Sequence, residues 1–319
     1  MTGAGWARVS RFRRWVAGMG ASPHHRLVAL LVAINLCALA IVAFTLNASL
    51  TEHRDRAVVV SRNLSRLVAN GIESEINKID LQLQTVVDEV NRRQAARQPI
   101  VGAPMDAFLR RLRDRVPMAL GIRVADASGR VIANSVTTDS WPSFQIDDRD
   151  YFRTLAQDPA AGLVVSRPIL GRVSNQWMLV FARRLSTPDG RFAGTVHASV
   201  PLSWFAARLE TIDVGPNGAV VLRADATNQF GLLARFPPAG HVGQTVVSDT
   251  FRRMMARDPQ GGTYEAAAGA DGVHRTFSYQ QVGSYPLVVL VGVATQAYLA
   301  DWWRGAVKWL AVDVLFIRG

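Results

Sequence analysis

The densest group of chemically capable side chains is Asp147, Asp148, Arg149, Asp150 and Tyr151. Carboxylates this close together could hold a divalent cation. An arginine among them could grip a carboxylate through two parallel N–H donors. Tyr151-Phe152 also reads as the start of a helix. There the acids would serve the free N–H groups and the dipole of the first turn, a use that outweighs a cation site. Elsewhere the chemistry is thin. The six histidines (His24, His25, His53, His197, His241 and His274) include no pair at helical metal-ligand spacing beside a carboxylate. A single cysteine, Cys37, excludes a disulfide framework and a multi-thiolate site. There is no Ser-His-Asp order and no phosphate-binding glycine loop. Neither a catalytic residue nor a cofactor is expected.

What remains are binding groups. Trp177, Leu179, Phe181 and Arg183 alternate along one face of a strand. An arginine in series with large apolar side chains is costly to bury unless it meets an anion. Arg183 is thus a candidate anion contact, with an internal salt bridge to Asp148 or Asp150 as the alternative. Trp141 and Trp177 could wall a cavity or simply pack in the core. His197 and Ser199 share the parity opposite to Phe192 and Val196, so either could face a ligand.

These groups need elements to hold them. A chain of 319 residues, 49% apolar and 19% charged, has material for two ordinary domains and is not a disordered protein. Of the net charge of +11, Arg8, Arg11, Arg13, Arg14 and Arg26 supply +5 before the first acidic residue, Glu52. A basic leader can bind nucleic acid. This one abuts LVALLVAINLCALAIVAFTL, residues 27–46, which carries no charge and at about 1.5 Å per residue spans a bilayer core. A cleaved signal peptide would have a shorter apolar run and a small-x-small site, and Leu46-Asn47-Ala48 fits that poorly. An uncleaved anchor is expected, with the arginines in the cytoplasm and the rest of the chain outside. From Leu50 to about Arg93, apolar residues recur in steps of three and four: Val60, Leu64, Leu67/Val68, Ile72, Ile76, Ile79, Leu83, Val86/Val87 and Val90. That spacing predicts one long helix whose stripe packs on its own domain, pairs with a second copy, or does both on different stretches.

Beyond Pro99 and Pro104 the pattern becomes short helices and strands. A helix over 107–115 precedes a hairpin of 121–125 and 131–135 about the turn Asp126-Ala-Ser-Gly129. Strands follow at 163–167, 176–185 and 192–201, then a helix at 202–212. The plan returns about 97–99 residues later, with strands at 219–223 and 231–235, a helix at 249–257 and a hairpin of 275–282 with 287–293. Trp302-Trp303-Arg304 then leads into an apolar stretch interrupted by Lys308 and Asp313, which reads either as an amphipathic tail or as a second membrane helix cut short.

The order Asp148-Arg149-Asp150-Tyr151-Phe152, Ser166-Arg167-Pro168, Gly171, Trp177, Arg183, Gly190-Arg-Phe-Ala-Gly194 and Trp204-Phe205 resembles the double Cache, tandem PAS-like sensor domain of bacterial receptors. Leu233-Ala-Arg235-Phe-Pro237 and Gly243 continue the resemblance in the second module, which makes it extend over about 50–300. It implies an α+β fold: a transmembrane helix, a long stalk helix and two antiparallel-sheet modules. The corresponding boundaries are a basic cytoplasmic leader 1–26, membrane helix 27–46, stalk 47–98, membrane-distal module 99–212, membrane-proximal module 213–300 and a second, truncated membrane helix from 301 to 319. It also implies that Arg149 and Tyr151 cross the mouth of a ligand pocket in the distal module. The candidate contacts are then Trp141, Arg149, Asp150, Tyr151, Trp177, Arg183 and His197. The expected partners are a small organic acid or amino acid, the lipid bilayer and a second copy through the stalk, with no nucleic acid. The fuller Tyr/Arg/Trp-Tyr/Asp signature of amino-acid-binding relatives has no match here, which favours a small carboxylate. The expected location is the bacterial inner membrane with the sensor in the periplasm. Relatives often carry a diguanylate cyclase, phosphodiesterase or histidine kinase, and no such output segment is present. Gly261-Gly262-Thr263-Tyr264-Glu265 lacks the adjacent carboxylates a cyclase loop needs. A truncated membrane-bound enzyme and a standalone anchored binding protein are the alternative readings.

Overall fold

The computed structural model describes residues 23–136 and 144–318. The chain divides into two compact units. One contains α1 up to Asp55 and the segment from Tyr298 onward; the other runs from Arg56 to Ala297.

Helix α1 spans Pro23–Ala95 without a break. In the first unit many of its large apolar side chains stand exposed, among them Leu27, Leu30, Leu36, Ile41 and Phe44. The helix is long and apolar enough there to cross a membrane. The C-terminal helix α6, Thr295–Arg318, meets it where Trp302 Nε1 donates to the Leu46 carbonyl at 3.2 Å. Among the described residues only α1 combines length and apolarity enough to span a bilayer.

In the second unit α1 buries Ala57, Ser61, Ser65, Val68, Ala69, Ile72, Ile76, Ile79, Leu83, Val86 and Val90. Steps of three and four keep these on one stripe, and each large aliphatic side chain contributes roughly 1.5–3 kcal/mol on burial. The stripe differs from the expected one at its N-terminal end. Ser61 and Ser65 take the buried positions, while Val60 and Leu67 are exposed. The reason is polar: Ser61 Oγ meets Ser278 Oγ at 2.8 Å, and Ser278 Oγ meets Thr263 Oγ1 at 2.8 Å.

Two antiparallel sheets pack on this stripe, joining it in one hydrophobic core. The first follows helix α2, Ala103–Arg113. It contains β1 Gly121–Asp126, β2 Val131–Asn134, β3 Val164–Val165, β4 Ile169–Leu170, β5 Trp177–Ser186 and β6 Phe192–Pro201, in the order β2-β1-β6-β5-β3, with β4 also paired to β5. Helix α3, Asp150–Gln157, is inserted between β2 and β3, and α4, Leu202–Glu210, follows β6. The second sheet contains β7 Ala219–Ala224, β8 Leu232–Phe236, β9 Gly261–Ala267, β10 His274–Gln281 and β11 Leu287–Ala294, ordered β8-β7-β11-β10-β9. Helix α5, Asp249–Arg257, stands between β8 and β9 as α3 stands between β2 and β3. The repeat read from the sequence is therefore a repeat of topology. The strand β9 was not expected, because Gly261-Gly262 hides it; the third strand is shorter than 163–167.

Each sheet is covered on both faces. In the first, Ile122, Val124, Leu179, Phe181, Val196 and Ala198 face α1. Ala125, Met178, Val180 and Ala182 face a second, smaller core with Tyr151, Phe152 and Leu155 of α3. In the second sheet Val221, Phe277, Tyr279 and Leu290 pack against Phe251 and Met255 of α5 in the same way. Gly194 lies at φ +131, where a Cβ would collide with the Ala125 carbonyl, so the close β1–β6 approach needs glycine. The register slips between Leu185 and Ser186 opposite it. This bulge turns Phe192 onto the α3 side, where it meets Phe152 edge-on at 5.2 Å.

Candidate functional site

The α3 side of the first sheet is incompletely filled. A cavity of about 290 Å³ remains between the sheet, the start of α3 and the hairpin that joins β4 to β5. Its floor is Arg123 of β1, His197 and Ser199 of β6, and Met178 and Val180 of β5. The register explains the grouping, because Arg123 lies opposite His197 across β1 and β6. The wall comprises Phe144, Ile146, Arg149 and Tyr151; Ile169, Arg172, Val173 and Ser174 come from the hairpin. Gly171 makes the hairpin's tight approach possible, since a Cβ there would strike Met178 and Ser174.

Polar groups converge in an otherwise apolar space. Arg123 Nη1 donates to Ser199 Oγ at 3.3 Å. Burial lowers the Arg123 guanidinium from its ordinary pKa. Burial raises the Tyr151 phenol, so it stays a neutral O–H. His197 is 2% exposed, and its ring lies 5.7 Å from that of Tyr151. Burial first, and then the charge on Arg123, push the imidazole down to about 3. Among the described residues its buried Nδ1 has no hydrogen-bond partner. At the rim Arg172 Nη2 binds Asp148 Oδ2 at 2.6 Å, and Arg149 Nε stands 4.0 Å from the other oxygen of Asp148. Arg172 also donates to the Gln145 carbonyl. Three arginines thus line one cavity, and among the described residues none of its lining side chains is acidic.

Of the residues singled out in the sequence, Arg149, Tyr151, His197 and Ser199 line this cavity; Asp150, Trp177 and Arg183 do not. Asp150 serves the helix start instead. Its Oδ1 accepts from the Tyr151 N–H at 2.8 Å, and its Oδ2 accepts from Arg167 Nε at 3.2 Å. Trp177 is 45% exposed at the end of β5. Arg183 lies on the α1 side of the sheet, where its partner is Asp80. The alternation along β5 is as expected, but Trp177, Leu179, Phe181 and Arg183 occupy the face opposite the cavity. Trp141 lies outside the described residues. The sequence reading missed Arg123 and Arg172. Arg123 was accessible to it, since Ile122 and Val124 bury toward α1 and the residue between them must face the other way. Arg172 sits in a hairpin with no periodicity to read.

Two sheets of matching order on one long helix, each with a helix closing a small core, define a tandem sensor fold. The chain belongs to the Cache family: the double-Cache model dCache_1, described as Cache domain, matches residues 46–302. The solved extracellular domain of rpHK1S-Z16, a protein assigned as a histidine kinase, is 29% identical, with a TM-score of 0.67, over 78% of this chain and 98% of its own. The ligand-binding domain of Mlp24, solved with asparagine, is 16% identical at a TM-score of 0.57, covering 80% of this chain and 98% of its own. That of the Pseudomonas fluorescens chemoreceptor CtaA, solved with L-isoleucine, is 13% identical at 0.56, covering 79% and 98%. None of the curated proteins compared matches the chain. Cache domains are extracellular ligand-binding sensor modules of membrane receptors, and the apolar N-terminal part of α1 fits a membrane anchor.

Proposed function

We propose that the chain is the periplasmic sensing region of a bacterial inner-membrane receptor, and that its first module takes a small organic carboxylate. One observation carries the reading: the 290 Å³ cavity is lined by Arg123, Arg149 and Arg172 and, among the described residues, by no acidic side chain. At the rim Arg149 and Arg172 share Asp148, which is not itself among the lining residues. A bidentate guanidinium–carboxylate pair is the strong and geometrically selective way for such arginines to take an acid. The volume suits a compact ligand, at the small end of ligand pockets. Met178, Val180, Ile169 and Val173 would cover an apolar stem.

The structural neighbours solved with asparagine and isoleucine hold ligands that also carry an ammonium group. Nothing acidic lines this cavity among the described residues to receive one, which favours an acid without an amine. In this reading residues 1–26 stay in the cytoplasm, 27–46 cross the membrane, 47–98 form the stalk, and the modules are 99–212 and 213–300. The segment 301–319 begins a second crossing. Ligand-dependent packing on α1 would pass to an output module, cyclase or kinase, or to a partner, so the chain itself makes no bonds. Such a relay requires two packings with different ligand affinity. The test is a thermal-shift screen of the detergent-solubilised chain against organic acids, amino acids and amines. Short carboxylates should stabilise it and amines should not; stabilisation by amines alone, or by nothing, overturns the reading.

A further inference from the structure

We propose that the second module binds a small monovalent anion, of chloride size, in the cavity between Arg223 and Arg235. This cavity lies between the second sheet and the start of α5, and has a volume of about 40 Å³. That is room for more than one water but not for a ligand of the size the first module could take. It is lined by Arg223, Arg235, Ser248, Phe251, Tyr264 and the turn at Gly269, among others.

The charge count is unbalanced. Arg223 and Arg235 are each 8% exposed and Arg275 is 2% exposed. Among the described residues one carboxylate serves this group. Asp271 Oδ2 accepts from Arg235 Nη2 at 2.5 Å and from Arg275 Nη2 at 2.8 Å, while Oδ1 accepts from Arg275 Nη1 at 2.8 Å. Arg275 Nε is satisfied by the Asn217 carbonyl at 2.7 Å. Three guanidiniums less one carboxylate leave +2. Among the described residues Arg223 has only neutral partners: the carbonyls of Phe230 at 2.7 Å, Gln244 at 3.1 Å and Val246 at 3.1 Å. Arg235 Nε is buried without a hydrogen-bond partner. Buried net charge of this kind is costly unless a counter-charge enters. Burial also keeps the Tyr264 phenol neutral, and its hydroxyl is hydrogen-bonded with Ser248 at the cavity wall. Ser248, the N-cap of α5, accepts from the Phe251 N–H at 3.2 Å, and this places the positive end of a nine-residue helix at the same wall. Donors, excess charge and a small enclosed volume coincide; a halide matches all three.

The test uses the full chain in detergent, with sodium chloride exchanged for sodium gluconate at constant ionic strength. Chloride should raise the unfolding midpoint saturably, by roughly 2–4 °C. Arg223→Gln should abolish the increment. Should that variant not fold, Arg235→Gln serves in its place, and crystals grown in bromide give an independent answer by anomalous scattering. A bromide peak in this cavity is the expected result. The proposal is overturned if the midpoint responds only to ionic strength, or if the bromide peaks avoid the cavity.

Discussion

Arg183 of β5 holds both carboxylate oxygens of Asp80 on α1, Nε at 2.5 Å and Nη2 at 2.8 Å. The two side chains are 25% and 14% exposed, so the pair is shielded rather than solvated. It ties the first sheet to the long helix on the face opposite the cavity. Tyr285 does the corresponding work for the second module, donating from Oη to Asn77 Oδ1 at 2.6 Å. Arg183→Gln should therefore weaken folding by about 1–3 kcal/mol, the cost of leaving a half-buried charge without its partner. Carboxylate affinity should stay within about twofold. Urea unfolding and calorimetric titration separate the two; a large loss of affinity with unchanged stability would return Arg183 to the binding site.

The arginines of the cavity should behave in the opposite way. Arg149 and Arg172 stand at the rim and share Asp148, so neither anchors a core. A charge-assisted hydrogen bond contributes about 1.5–3 kcal/mol. Arg149→Gln and Arg172→Gln should each weaken a bound carboxylate by roughly ten- to a hundredfold while moving the unfolding midpoint little. The ligand dependence of the midpoint is the readout, and an unaltered dependence in both variants would remove the arginines from the site.

His197 makes stability depend on pH. Its folded pKa, about 3, lies below the ordinary histidine value of 6.5, because burial and Arg123 disfavour the imidazolium. The unfolded chain therefore takes up a proton first. The contribution is complete above about 6.5 and is lost as pH falls from there toward 3. His197→Gln should flatten the stability profile between pH 6.5 and 4, measured by urea unfolding at closely spaced pH values. A slope unchanged in the variant would assign the acid sensitivity in that window to other groups. Asp271 acts lower: its carboxyl is held well below its usual range, chiefly by Arg275, so its contribution is lost only as pH falls below about 4.

How much of the fold is legible in the sequence depends on the kind of signal. The stalk, the paired modules and most strands were legible because they repeat a period. Strand β5 shows the limit. Residues 178–182 are all buried, so alternation tells which side chains share a face but not which face holds the cavity. Only contact with Asp80 decides that for Arg183. The bulge beside Gly194 reverses parity within one strand, which no pattern of apolar residues announces. In the cavity, Arg149, Tyr151 and His197 lay on readable elements. Arg172 comes from a hairpin shaped by Gly171 and the β4–β5 pairing, a tertiary relationship.

The exposed side of α1 carries its own prediction. Val60, Leu67 and Leu81 are 42%, 65% and 59% exposed on a helix whose other stripe is fully used. They stand seven and fourteen positions apart, the spacing that keeps residues on one seam when two helices wind together. Apolar side chains at such spacing, left outside their own core, fit pairing with a second copy of the chain. Leu67→Asp together with Leu81→Asp should shift the detergent-solubilised protein from dimer toward monomer. The unfolding midpoint of the monomer should fall little, because neither side chain belongs to the core. Multi-angle light scattering reads the mass directly. A wild-type chain that runs as a monomer at every concentration, or a double variant that remains a dimer, would show that this seam does not join two copies.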